Sequence, residues 1–174
     1  MQTPVYLAIC VPEFPAQALL RLRPELRRKP VAIVKGVPPL QQVCSANAMA
    51  RAIGVENGCT RTQLDAWDGL TILPASDTEE SCAKTALLEA VAVYTPRIET
   101  QPMTDTALSV LLDISGTTWM WGDPASLARR VSQTVRELCF TARFIVSRNA
   151  HASLCLASVP RREPLIVRNG DEAN

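Results

Sequence analysis

The sequence predicts an α+β fold, a β-α-β-type layer with helices on one face and an inserted segment between its first strand and its longest helix. Three observations predict it. Residues 6–11 and 107–114 are apolar runs of strand length. Residues 77–94 open with an acidic turn and meet no helix breaker until Pro96, so they form one long helix. From residue 77 to residue 157 the pattern then alternates helix, strand, helix, strand, helix. A chain of 174 residues holds one domain or two small subdomains, and 47% apolar content is ample for a core.

The elements follow in order. Residues 6–11, Y-L-A-I-C-V, read as a buried strand that Pro12 ends, because proline cannot donate to a ladder. Pro15 suits a first helical turn, and the helix is expected to continue over residues 16–23. Residues 24–30 are a basic connector, residues 31–34 a β-branched strand, and residues 36–39 a turn with two prolines. Val43 and Cys44 end a third strand. Ser45 is then the expected N-cap of a helix over residues 46–53, which Gly54 stops. Thr60 caps a short helix, and residues 70–73 are a strand closed by Pro74.

After the long helix, residues 103–105 read as a loop and residues 107–114 as the second core strand, ended by Ser115-Gly116. Trp119 and Trp121 flank an aromatic corner, with base stacking as the alternative to packing in the core. Asp123 or Pro124 starts a helix to about Cys139, with Arg129, Arg130 and Arg136 facing away from Leu127, Val131 and Val135. Residues 143–146 form a strand, and residues 147–149 cap a helix over 150–157 that holds His151, read as structural. Residues 161–174 are a linker or a frayed tail.

Charge and cysteine usage exclude some functions. The formal net charge is +1, so bulk charge does not make this a polyanion binder. Residues 1–76 carry a balance of +3 and residues 77–174 a balance of −2, and five basic groups lie between Arg21 and Lys29. A run of that kind is also what a solvated helix end looks like. The six cysteines show no C-x-x-C spacing and there is one histidine, which argues against zinc. Most of the cysteines sit in apolar sequence and read as reduced core thiols of a cytoplasmic protein. No signal peptide and no membrane-spanning run is visible.

Seven short motifs occur together and in order: the first strand, F-x-A-Q (Phe14, Ala16, Gln17), K-P-V-A-I-V, S-A-N-A-M-A-R-A-I-G-V, Y-T-P-R-I-E, L-L-D-I-S-G-T and I-V-S-R-N. This set resembles the palm and fingers of Y-family (translesion) DNA polymerases over about residues 4–160. It looks closest to the ImuB subgroup, the polymerase-like members of bacterial mutagenesis cassettes. The resemblance implies a ferredoxin-like palm from residues 1–11 and 77–160, and inserted fingers from residues 12–76. It implies that the thumb and C-terminal DNA-gripping domain are absent, since residues 158–174 barely begin a thumb, and that this is a truncated product or a fragment.

The family's chemistry needs carboxylates to hold two divalent cations. The resemblance places those positions at Cys10, Pro12, Leu108 and Ser109, none of them acidic. It therefore implies no cofactor: a neutral thiol is a poor ligand for magnesium, which is not expected to be held. Asp113 matches the family's non-catalytic aspartate, and Asp105 and Glu13 are the nearest other acids. Vestigial nucleotide contacts fall on Phe14, Ser45, Asn47 and Arg51. The family's tyrosine is Ala48 here, and its palm lysine maps to Ala150. Ser45 as a helix cap and Arg51 as a surface charge remain the structural alternative.

Candidates for sequence-independent DNA contact are Arg21, Arg23, Arg27, Arg28, Lys35, Arg143 and Arg148. The expected function is a non-catalytic scaffold in SOS mutagenesis. Its partners would be primer-template DNA, held weakly, the sliding clamp, a RecA-like protein and a separate error-prone polymerase, with no membrane. Two alternatives stand beside it: an active nucleotidyltransferase whose metal site is rebuilt from Asp105, Glu13 or Asp113, and a protein-interaction module without DNA binding.

Overall fold

The computed structural model describes residues 4–102, 106–159 and the backbone of 165–166. The chain divides into two compact units, one of residues 1–12, 85–104 and 108–174, the other of residues 13–84 and 105–107.

The first unit is built on a five-stranded sheet in the order β5-β6-β1-β7-β8. Its centre is β1 (Tyr6–Val11), antiparallel to both β6 (Leu108–Asp113) and β7 (Arg143–Ser147). Leu7 to Val11 are all buried, so β1 is covered on both faces, with α7 (Ala150–Ser158) packed against β1 and β7. That explains why the strand reads as a continuous apolar run rather than an alternating one. The edges are short: β5 (Ile98–Thr100) pairs with β6, and β8 (Leu165–Ile166) pairs parallel with β7. The expectation of a frayed or linking segment otherwise falls on residues outside those described, as does the loop at 103–105.

Helices in this unit form where their caps direct. Asp123 caps α6 (Pro124–Glu137) by accepting from the Ser126 N–H at 2.6 Å, and that hydrogen bond holds its carboxyl below the usual range. The buried stripe Leu127, Val131 and Val135 faces inward and the arginines outward, as the 3.6 period requires. The tryptophans differ from expectation. They fall on a single helical turn, α5 (Thr118–Trp121), where residues two apart point about 200° apart. Trp121 therefore packs edge-on against Tyr94, ring centres 5.0 Å apart, while Trp119 is 82% exposed and pins nothing. The cysteines correct a second expectation: Cys10 is buried, but Cys82, Cys139 and Cys155 are exposed, on outward positions or at a helix end.

The second unit carries a three-stranded sheet, β3-β2-β4, from β2 (Val31–Lys35), β3 (Gln42–Ala46) and β4 (Thr71–Pro74). Its core joins Ala32, Val34, Val43, Ala46, Ala50, Val55 and Leu64. Helix α1 (Phe14–Leu20) starts two residues earlier than expected and stops before Arg23. Its end is set by side chains: Arg23 donates to the Leu19 carbonyl at 2.6 Å and Arg27 to that of Leu20 at 3.0 Å. Thr60 does cap α3 (Arg61–Leu64), in a capping box with Gln63. Ser45 is not a cap. It lies in β3, and Asn47 caps α2 (Ala48–Ala52) instead. The long helix α4 (Asp77–Ala92) begins in this unit and continues in the other.

Candidate functional site

The positions that the resemblance assigns to metal ligands are placed by the pairing of β1 with β6. The register aligns Cys10 with Ser109 and Val11 with Leu108, and on its other side Cys10 aligns with Arg143 of β7. Residues directly opposite share a face of the sheet, whereas adjacent residues alternate. Cys10 and Ser109 therefore lie side by side on one face and Leu108 lies on the other, fully buried. The three side chains thus do not converge on one cleft, since Leu108 is buried on the face opposite Cys10 and Ser109. Cys10 is itself only 2% exposed.

The residues present do not fit a pair of hard divalent cations. A thiol, a proline, a leucine and a hydroxyl offer no anionic oxygen. Of the other acids, Asp113 is four residues along β6 from Ser109, roughly 13 Å away at strand rise. Its carboxylate accepts from the Ser115 N–H at 2.9 Å and pairs with Arg97 at 3.3 Å. Asp105 falls outside the described residues. Among the described residues no three His, Cys, Asp or Glu side chains come together as ligands.

The second cluster lies wholly in the second unit. Glu13 stands at the N-cap of α1 in the left-handed region, φ 48° and ψ 44°. One carboxylate oxygen accepts from the Ser45 hydroxyl at 2.8 Å and the Ala46 N–H at 3.1 Å. The other accepts from Arg51 Nε at 2.9 Å and Nη2 at 2.6 Å. Ser45 Oγ, fully buried, also accepts from the Ala16 N–H at 3.2 Å, and Arg51 also donates to the Val55 carbonyl and to Asn57. Ser45 and Arg51 are thus brought together, as the motif implies, but on an internal acid.

Asn47 plays a different part. Its Oδ1 accepts from the N–H groups of Val31 and Ala50, each at 3.0 Å, and its Nδ2 donates to the Lys29 carbonyl at 2.7 Å. It ties the start of β2 to α2. Phe14 is fully buried, its N–H donating to the Thr106 carbonyl. Neither presents its polar or aromatic atoms to a ligand.

The candidate DNA contacts separate into two groups. Arg23 makes a two-pronged pair with Glu79, at 2.7 and 2.8 Å, and that hydrogen bonding raises the guanidinium and lowers the carboxyl. Arg27 is spent on α1 carbonyls, half-buried Arg21 follows that helix, and Arg143 donates to the Ser158 carbonyl at the end of α7. The side chains of Arg28, Lys35 and Arg148 are exposed and make no hydrogen bond or ion pair among the described residues, although Lys35 feels the charge of Glu80. The residue that sequence reasoning underrated is Glu13, whose partners lie 32 and 38 positions away. An acid placed just before Phe-Pro at a helix start was the one available signal.

The model of the impB/mucB/samB family matches residues 9–158. No curated protein matches. Among solved structures, a post-insertion binary complex of Dbh DNA polymerase superposes with a TM-score of 0.81 at 19% identity, covering 97% of this chain and 49% of that one. An insertion ternary complex of Dbh gives 0.76 at 18% identity, covering 96% and 49%. DinB from Sulfolobus solfataricus gives 0.75 at 17% identity, covering 95% and 48%. The chain therefore spans about half the length of the structures it matches, and at these identities the likeness is one of fold.

Proposed function

The chain belongs to the impB/mucB/samB family, and we propose that it acts there as a non-catalytic, DNA-polymerase-like scaffold in damage-induced, error-prone translesion synthesis. In that role it supplies a palm and fingers that sit on primer-template DNA while a separate polymerase joins nucleotides. The single observation that carries this proposal is the donor set at the β1–β6 pair: Cys10, Ser109 and a Leu108 turned into the core. Without anionic oxygens there, two-metal stabilisation of a phosphoryl transfer has no support from this chain. The ImuB-like role, with a sliding clamp and a RecA-like partner, extends this proposal by resemblance. The site of action would be the nucleoid in the bacterial cytoplasm; among the described residues no helix is long and apolar enough to cross a membrane.

DNA would be held by its backbone. Of the candidate contacts, the side chains of Arg28, Lys35 and Arg148 are the exposed ones without a hydrogen bond or ion pair among the described residues. Each phosphate neutralised contributes a slope of about −0.9 to log K against log salt on duplex DNA. Anisotropy with a labelled primer-template should give a negative slope, and the R28A/K35A/R148A variant should flatten it by roughly 2 to 3 units. An affinity indifferent to salt would replace the scaffold on DNA with a protein-interaction module. Primer extension by the purified chain in magnesium or manganese would replace it with an active transferase.

A further inference from the structure

We propose that the α2–α3 end of the second unit is a docking surface for a protein segment that carries lysine or arginine beside apolar side chains. The inference is independent of whether the chain binds DNA. It uses none of the residues assigned above to nucleotide or DNA contact.

The apolar part of the surface starts from helix spacing. Met49 and Ile53 stand four positions apart, on α2 and at its C-cap, so they project from one side of that helix. It is not the side that packs: Ala50 is the buried residue of α2, whereas Met49 and Ile53 are 43% and 42% exposed. Trp67 extends the patch. Its indole N–H donates to the Ile53 carbonyl at 2.7 Å, so the ring lies across the C-terminal end of α2. It is half-buried there, packed against the core that holds Ala50, Val55 and Leu64. Methionine and tryptophan are enriched at the centres of protein interfaces, and adjoining exposed apolar side chains mark such sites better than scattered ones do.

Charge selects the partner. Residues 1–76 hold five acids, and three of them, Glu56, Asp65 and Asp68, fall close in sequence to Ile53 or Trp67, all exposed. The cations of that stretch lie mostly elsewhere. Six are between residues 21 and 35, and Lys29 stands at the opposite end of α2, where the cap Asn47 bonds its carbonyl. Arg51 is turned onto Glu13, and Arg61 pairs with Asp65 at 3.2 Å. Three acids against Arg61 alone leave a surplus of two negative charges beside the patch. That surplus repels phosphate, so nucleic acid is a poor fit. A second copy docked by the same patch would set acid against acid, since a two-fold contact uses one surface twice. A cationic segment with its own apolar side chains satisfies both parts of the surface.

The test uses the whole chain and a labelled helical peptide of leucine and lysine that carries a photo-cross-linking group, with a leucine–glutamate peptide as its counterpart. Binding is read by anisotropy. The expected result is that the lysine peptide binds the wild-type chain, at least tenfold more weakly in M49Q/I53Q and in E56K/D68K. The glutamate peptide should gain affinity for E56K/D68K, and cross-links from the lysine peptide should map to residues 49–53 and 64–70. R28A/K35A/R148A should bind the lysine peptide as wild type does. The two patch variants alter different parts of the surface, so either one decides the matter if the other fails to fold. No binding, binding indifferent to both variants, or cross-links elsewhere would overturn the proposal. So would loss of primer-template affinity in M49Q/I53Q, which would make the patch a nucleic-acid surface. A wild-type dimer in sedimentation that M49Q/I53Q dissolves would overturn it too, as a contact between copies.

Discussion

Replacing Leu108 with aspartate tests the geometry of the β1–β6 pair more sharply than any change at Cys10. Leu108 is fully buried and paired with Val11, on the face opposite Cys10 and Ser109. Losing the leucine packing costs about 2–5 kcal/mol, as buried Leu→Ala changes do. The carboxyl adds a second penalty. In an apolar interior its pKa rises by about 3 units or more, and holding it protonated at pH 7 costs about 4 kcal/mol, at about 1.36 per unit. The sum, about 6–9 kcal/mol, rivals the whole stability of a typical domain, about 5–15 kcal/mol.

The sign with pH follows. A carboxyl whose folded pKa is raised imposes little extra cost near pH 4, and the cost grows as pH rises through the unfolded value of about 3.9 towards the folded one. L108D should therefore unfold in urea far more readily at pH 7 than at pH 4, after the wild-type pH dependence is subtracted. L108A and L108N should lack that difference. S109E, at a half-buried position, should cost far less than L108D. An L108D protein as stable as wild type at pH 7 would mean that residue 108 opens to solvent, and the reasoning from strand alternation would fail.

Other outcomes are expected elsewhere. N47A removes the α2 cap and leaves the part-buried Val31 N–H without its acceptor, so it should cost about 2–3 kcal/mol in urea unfolding, whereas N47D keeps the cap acceptor and should cost less. The Arg23–Glu79 pair lowers the Glu79 carboxyl, so its contribution is present above about pH 4.3 and is lost as pH falls through the lowered value; being about one-third exposed, it is worth at most about 1 kcal/mol, and E79Q should remove that part of the acid-side loss of stability. Maleimide labelling followed by peptide mapping should modify Cys82, Cys139 and Cys155 quickly and Cys10 slowly, with Cys44 slow as well because burial pushes its thiol up.

Much of the architecture is legible in the sequence because it is written locally. The apolar run ending at Pro12, the Asp123-Pro124 start of α6 and the Thr60 capping box each depend on residues within a few positions of one another. The short edges β5 and β8 are not legible, since three- and two-residue strands are made by their partners rather than by their own pattern. Ser45 misleads because a serine before a helical stretch is a fair cap; the β2–β3 pairing extends past it and hands the cap to Asn47. The carboxylate of Glu13 meets its donors only after β3 and α2 have folded back to α1, and no short-range rule marks that. That residues 10, 12, 108 and 109 are not acidic is plain from the sequence, but the burial of Leu108 on the far face needs the strand register.

The most direct test of a polymerase fold without its metal site is manganese binding followed by electron paramagnetic resonance, with primer-template DNA and nucleotide present. The wild-type chain should leave the free Mn²⁺ signal as it is in the same DNA and nucleotide without protein. A stoichiometric site that quenches that signal in the wild-type chain, and is lost in D105N or D113N, would contradict the account.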